Sequence, residues 1–224
     1  MVAGALSAWA LCTPIAEGQP AAETHLVERL SAWATSPVVA HRARRKLEAH
    51  KVGSGERAWL VVQTSLDPEK GFVYEVLAEG GPHAVRHRMK QVLDEEQRVR
   101  SSDEPQQAAL CGVNYHLAVI GTQGDEVRVR IVPRRRARFL LDGVATLDRH
   151  TGEVRRVEGA PAKPPSFWIT DVRLTRRYTR VGSRVMLASL ESVARVRIWG
   201  VYHFTMSYDY ESVEGVPVAQ TARR

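Results

Sequence analysis

His83 and His87 stand four residues apart, a spacing that sets two imidazoles on one helix face and within reach of one metal ion. A metal site needs a further donor and the surrounding sequence supplies none, so the pair reads as two solvated histidines. His116 and His203 each stand alone on strand-like stretches. Asp94-Glu95-Glu96 offers carboxylates for acid–base work, but consecutive helical residues point in different directions, so this is a solvated acidic end. Cys12 and Cys111 lie in neither a CxxC nor a metal-ligand spacing, and if Cys12 is lost by processing Cys111 is a lone thiol. GxSxG, HExxH and a phosphate-cradling glycine loop are absent. The sequence holds no catalytic constellation, no metal site and no cofactor site, and points away from an enzyme.

The remaining chemistry is charge and grease. Arg134, Arg135, Arg136 and Arg138 follow Pro133 at a strand end and form the densest basic cluster. They read as a solvated turn or, more pointedly, as a contact for lipid headgroups or an acidic partner. Net charge is +7, with arginines alternating along strand-like segments such as 127–131 and 193–198. Such alternation marks the wet face of a sheet. No aromatic-interleaved basic patch accompanies it, which argues against nucleic acid. A membrane-surface contact stays open.

Hydrophobic content of 44% in 224 residues calls for a packed core rather than disorder. Residues 1–16, MVAGALSAWALCTPIA, are too short to span a bilayer and look like the apolar part of an export signal without its basic start. Cleavage near Ala16 or Ala22 would leave residues 1–22 as signal and spacer, 23–215 as one domain and 216–224 as a flexible tail.

Two helices are expected. Leu26, Leu30 and Trp33 make an apolar stripe over 25–35, which Ser36-Pro37 stops. Val85, Met89, Val92 and Leu93 make another over 83–99, opened by Gly80-Gly81-Pro82. Residues 38–50 are ambiguous and are read as a strand because a glycine turn and a clear strand follow. The rest is nine or ten strands joined by short turns, an antiparallel meander with one dry and one wet face. The stretch 193–210, VARVRIWGVYHFTMSYDY, reads as one strand about 50 Å long, bent or bulged at Gly200.

On that reading the dry face carries Val129, Ile131, Leu141, Leu147, Trp168, Val172, Leu174, Ile198, Tyr202, Phe204, Met206 and Tyr208. Two short helices cannot cover so broad a face if it stays flat. The expected fold is mainly β with two helices: a curved antiparallel meander forming an open half β-barrel, helices on its concave side. Those twelve side chains then line an apolar cavity for an acyl chain. A filled core that binds nothing there is the alternative, and a continuous cavity of about 300 Å³ separates the two.

Several motifs resemble the superfamily of Lol-type outer-membrane lipoprotein carriers over residues 24–213. They are Asn114-Tyr115, the strand-closing Pro133-Arg134-Arg135-Arg136, and Gly143-Val144-Ala145-Thr146-Leu147-Asp148 leading to Val154-Arg155-Arg156-Val157-Glu158-Gly159. Pro165-Ser166-Phe167-Trp168 and Tyr208-Asp209-Tyr210 complete the set. The resemblance implies an exported, periplasmic protein whose curved sheet, closed by helices, holds lipid-modified cargo. The expected partner is a lipid or a lipidated protein, bound by a monomer. A second class stays open: an envelope interaction or sensor module with a packed core and a basic surface for proteins or polyanions.

Overall fold

In the computed structural model the described residues are 21–102, 104–137, 139–164, 167, 169–198 and 200–219. The expected signal segment, Trp168, Arg138 and the last five residues of the tail fall outside them. In chain order come α1 (Ala21–Ala34), β1 (His41–Lys51), β2 (Arg57–Asp67), β3 (Gly71–Gly80), α2 (His83–Arg100) and α3 (Glu104–Ala108). β4 (Tyr115–Gln123), β5 (Glu126–Pro133), β6 (Leu141–Asp148), β7 (Val154–Pro161) and β8 (Ile169–Val181) follow. β9 (Arg184–Val196), β10 (Gly200–Val213) and β11 (Val216–Pro217) end the series.

All the strands described join one antiparallel sheet in the order β3-β2-β1-β10-β9-β8-β7-β6-β5-β4, with β11 added on β10. The sheet is mainly a meander, curved and open, as the alternation predicts. One pairing is not sequential: β1 lies beside β10, so the chain's first and last long strands meet in the middle. The two edges, β3 and β4, are therefore neighbours in sequence and opposite ends in space, and α2 and α3 carry the chain between them. The ambiguous segment is a strand, and its burial alternates through Ala43, Arg45, Leu47 and Ala49. The segment 216–224, expected to be a tail, contributes Val216 and Pro217 to the sheet through β11.

The 193–210 stretch is not one strand. It is the end of β9 and the start of β10, folded back at Arg197 and Ile198 so that Val196 pairs with Gly200 and Ala194 with Tyr202. Gly200, with φ +95°, opens β10 beside the turn and is not a mid-strand bend. Ile198 also has positive φ, +69°, and is 92% exposed, so its expected place on the dry face is corrected. Both limbs share one alternation and the turn lacks Asn, Asp or Pro, so the period of two runs through it without a break.

Turns elsewhere follow their chemistry. Asp67 Oδ1 accepts from the amides of Glu69 and Lys70 at 2.9 and 3.0 Å, and Asp148 Oδ1 from those of His150 and Thr151 at 2.9 and 2.8 Å. These bonds, with Arg155 on its other oxygen, hold the Asp148 carboxyl far below the usual carboxylate range. Gly143 faces Gly159 in the β6–β7 register. A Cβ on Gly143 would sit 1.9 Å from the Glu158 carbonyl oxygen, so these strands close up only because both positions lack a side chain.

Candidate functional site: the concave face

Register carries one row of residues across the sheet. Leu60 pairs with Leu47, Leu47 with Met206, Met206 with Leu190, Leu190 with Arg176, Arg176 with Val157, Val157 with Ala145 and Ala145 with Val129. Paired residues share a face, so this row lies on one side of the whole sheet. It is the side the helices cover, and Arg176 is its one charged member.

Three buried clusters stand on that face, the third made of Ala43, Val181, Met186, Tyr210 and Val213 from β1, β8, β9 and β10. α1 puts Leu30 among Tyr115, Val129, Ile131, Leu141, Leu147 and their neighbours, all buried. Trp33 at its end meets the Tyr178 ring edge-on, 5.1 Å between centroids. α2 puts Met89 and Leu93 among Leu47, Leu60, Val62, Phe72 and Met206. Between the α1 and α2 clusters part of the β8–β10 face is only half covered: Val172, Leu174, Leu190, Tyr202 and Phe204 are each half-buried. At one end this strip opens into a cleft of about 340 Å³, with Trp33, Pro37, Val39, Leu110, Arg176 and Tyr178 among its walls.

The expected cavity residues thus divide. Val129, Ile131, Leu141 and Leu147 face the concave side but are packed core beneath α1, and Met206 is core beneath α2. Val172, Leu174, Tyr202, Phe204 and Tyr208 are half-buried on or beside the strip. None of the eleven that are described lines the cleft. The distinction between core and strip depends on where the helices land, which the alternation of a strand cannot report. Arg134 and Arg135 donate to the protein's own groups instead of standing free. Arg134 Nε bonds the Gly112 carbonyl at 2.7 Å, and Arg135 bonds Asn114 Oδ1 at 2.9 Å and the Gln107 carbonyl at 2.7 Å. Asn114 in turn donates to the carbonyls of Gln106 and Ala109, both at 3.0 Å, so this cluster splints the loop before β4. Arg136 reaches the Ala162 carbonyl at 3.4 Å.

Two inward arginines escaped the sequence reading. Arg45, fully buried on β1, bonds Glu96 of α2 at 2.7 Å and lies over the rings of Phe72 (4.8 Å) and Tyr208 (4.5 Å). Arg100 holds the other Glu96 oxygen at 2.9 Å. Burial pushes the Glu96 carboxyl up, but Arg45 and Arg100 outweigh it and hold the group below its ordinary value. Burial drives the neighbouring Tyr208 phenol up to about 12. Arg176 shares the inward face of β8 with Leu174 and Tyr178. The Tyr178 phenol is raised by burial, against the pull of the Arg176 charge and its hydrogen bond. Both arginines occupy apolar-parity positions in their strands, the signal that marks them.

Among the described residues no three His, Cys, Asp or Glu side chains come together as a metal would require. No described helix is long and apolar enough to cross a membrane.

The architecture is an open, helix-lined half-barrel with a partly bare concave strip. No family model matches the sequence, and no curated protein matches it. Among solved structures the chain is similar to a LolA superfamily protein from Nitrosomonas europaea: 8% identity, TM-score 0.41, 84% of this chain and 91% of that one covered. It is also similar to MucB (15%, TM-score 0.26, 85% and 94%) and to MucB in complex with MucA(peri) (12%, TM-score 0.23, 84% and 93%). Identities and scores this low carry nothing about what the chain binds.

Proposed function

We propose that the chain is an exported, non-enzymatic binding protein of the bacterial envelope that takes a lipid, an acyl chain or the lipid anchor of a protein on its concave face. The observation that supports this is the half-covered strip on β8–β10 running into the 340 Å³ cleft. A soluble domain buries such a face unless something else covers it. The cleft's volume falls within the range of small-ligand pockets, about 300–1,000 Å³, and an acyl chain supplies the missing apolar contact at about 0.8 kcal/mol per buried methylene. Carriage of a lipoprotein is the fullest form of this function, with the protein acting as a monomer.

The test is to purify the full chain and extract it for lipid analysis by mass spectrometry, then titrate the stripped protein with a fluorescent fatty acid. Co-extracted lipid and saturable probe binding are expected. A clean protein that ignores the probe would leave the interaction-module reading, with the open edges β3 and β4 as its strand-pairing surfaces.

A further inference from the structure

We infer that the cleft is specific for an anionic amphiphile, with Arg176 holding a carboxylate or phosphate head while the tail lies along the strip. This rests on the acyl-binding reading above and adds the head group to it. Three arginines, Arg45, Arg100 and Arg176, stand about the concave face, and Arg184 stands at the β8–β9 end of the cleft wall. Arg45 and Arg100 share Glu96, and Arg184 holds Glu214 through two bonds of 3.0 and 2.6 Å. Arg176 forms no ion pair among the described residues; the Tyr178 hydroxyl is its polar neighbour. It is half-buried and sits in a row otherwise made of Leu, Met, Val and Ala. A guanidinium drawn partly out of water without a counter-charge is costly, and an incoming anion removes that cost.

The position also fixes the ligand's shape. Arg176 is a wall of the cleft with Trp33 and Tyr178 on one side. On the other it is flanked by Leu174 along β8 and by Leu190 across the β8–β9 pair, both on the strip. The charge therefore stands at the junction of cleft and strip, where the head of a single-chain amphiphile meets its tail. The guanidinium fork suits the two oxygens of a carboxylate or phosphate. A free anion would gain the charge contact but none of the apolar contact.

Competition against a bound fluorescent fatty acid separates these readings, with dodecanoate, dodecyl phosphate, dodecanol and inorganic phosphate as probes. Dodecanoate and dodecyl phosphate are expected to bind wild type about 10- to 100-fold tighter than dodecanol. Inorganic phosphate at millimolar concentration should displace nothing. Arg176→Gln should bring dodecanoate down to the level of dodecanol, and Arg176→Lys should restore part of the preference. Arg173→Gln, an exposed site on the opposite face of β8, should leave the preference intact. If wild type takes dodecanol as tightly as dodecanoate, the head-group assignment fails while the acyl cleft stands. If no chain-bearing probe binds, both fail. Displacement by inorganic phosphate alone, or an equal loss in Arg173→Gln, would replace Arg176's role with a free-anion site or a diffuse field. The wild-type comparison decides even if a variant folds poorly.

Discussion

The two ends of the sheet hold their helices by different physics. α1 is seated by Leu30 and Trp33 among apolar neighbours, with no ion pair among the described residues. α2 has buried apolar side chains in Met89 and Leu93 but is pinned as well by charge. Arg45 takes Glu96 from below, Glu79 takes Arg86 and Lys90 at 2.6 and 2.7 Å, and Tyr74 donates to Asp94 at 2.5 Å. Apolar packing resists displacement through shape alone, whereas a buried ion pair adds a directional contact that is lost if its geometry slips. The pins give α2 one position over β1–β3. The β8–β10 strip lies beyond that position and is half-buried.

The contrast can be broken most sharply at Arg45. Arg45→Ala leaves Glu96 without its buried partner and is expected to cost about 3–5 kcal/mol in urea unfolding. Arg45→Met with Glu96→Leu should recover most of that loss, since an apolar pair of similar volume replaces an ionic one. A surface-like cost for the single change, under about 0.5 kcal/mol, would abolish the distinction between the ends. Leu30→Ala, the matching change beneath α1, is expected to cost about 2–5 kcal/mol through a cavity, with no dependence on salt or pH.

Acid should separate the ends next. Glu96 is held below its ordinary value, so its contribution is complete above the unfolded glutamate value of about 4.3 and is lost as pH falls toward the folded one. Amide protection on α2 should therefore drop before that on α1 as pH is lowered from about 5 to 3. On the α1 side the Asp148 carboxyl is held lower still, and its hairpin turn should loosen only at more acid pH. Loss of α1 protection first would invert the account. The smallest effect is expected at the β9–β10 turn, where Ile198→Gly removes a side chain from positive φ and should stabilise by about 0.4–1 kcal/mol in the same unfolding assay.

The sheet, the two longer helices and the dry parity of Tyr202, Phe204, Met206 and Tyr208 were legible because alternation is a local signal. The β1–β10 pairing was not, since nothing in either strand names a partner some 160 residues away. The turn at Ile198 was hidden because strand parity continues through it. Arg45 and Arg176 were missed for a related reason. Arginine on a strand is ordinarily solvated, and only the register shows that these two stand among apolar neighbours. The core–strip division depends on helix placement, and that depends on ion pairs between residues such as Arg45 and Glu96, which are far apart in sequence.

Fluorescent fatty-acid titration of three proteins tests the central claim: wild type, Phe204→Glu on the strip and Thr205→Glu on the opposite, exposed face. The concave-site account predicts saturable binding by wild type and Thr205→Glu and at least a tenfold loss in a folded Phe204→Glu. Equal binding by all three would contradict it.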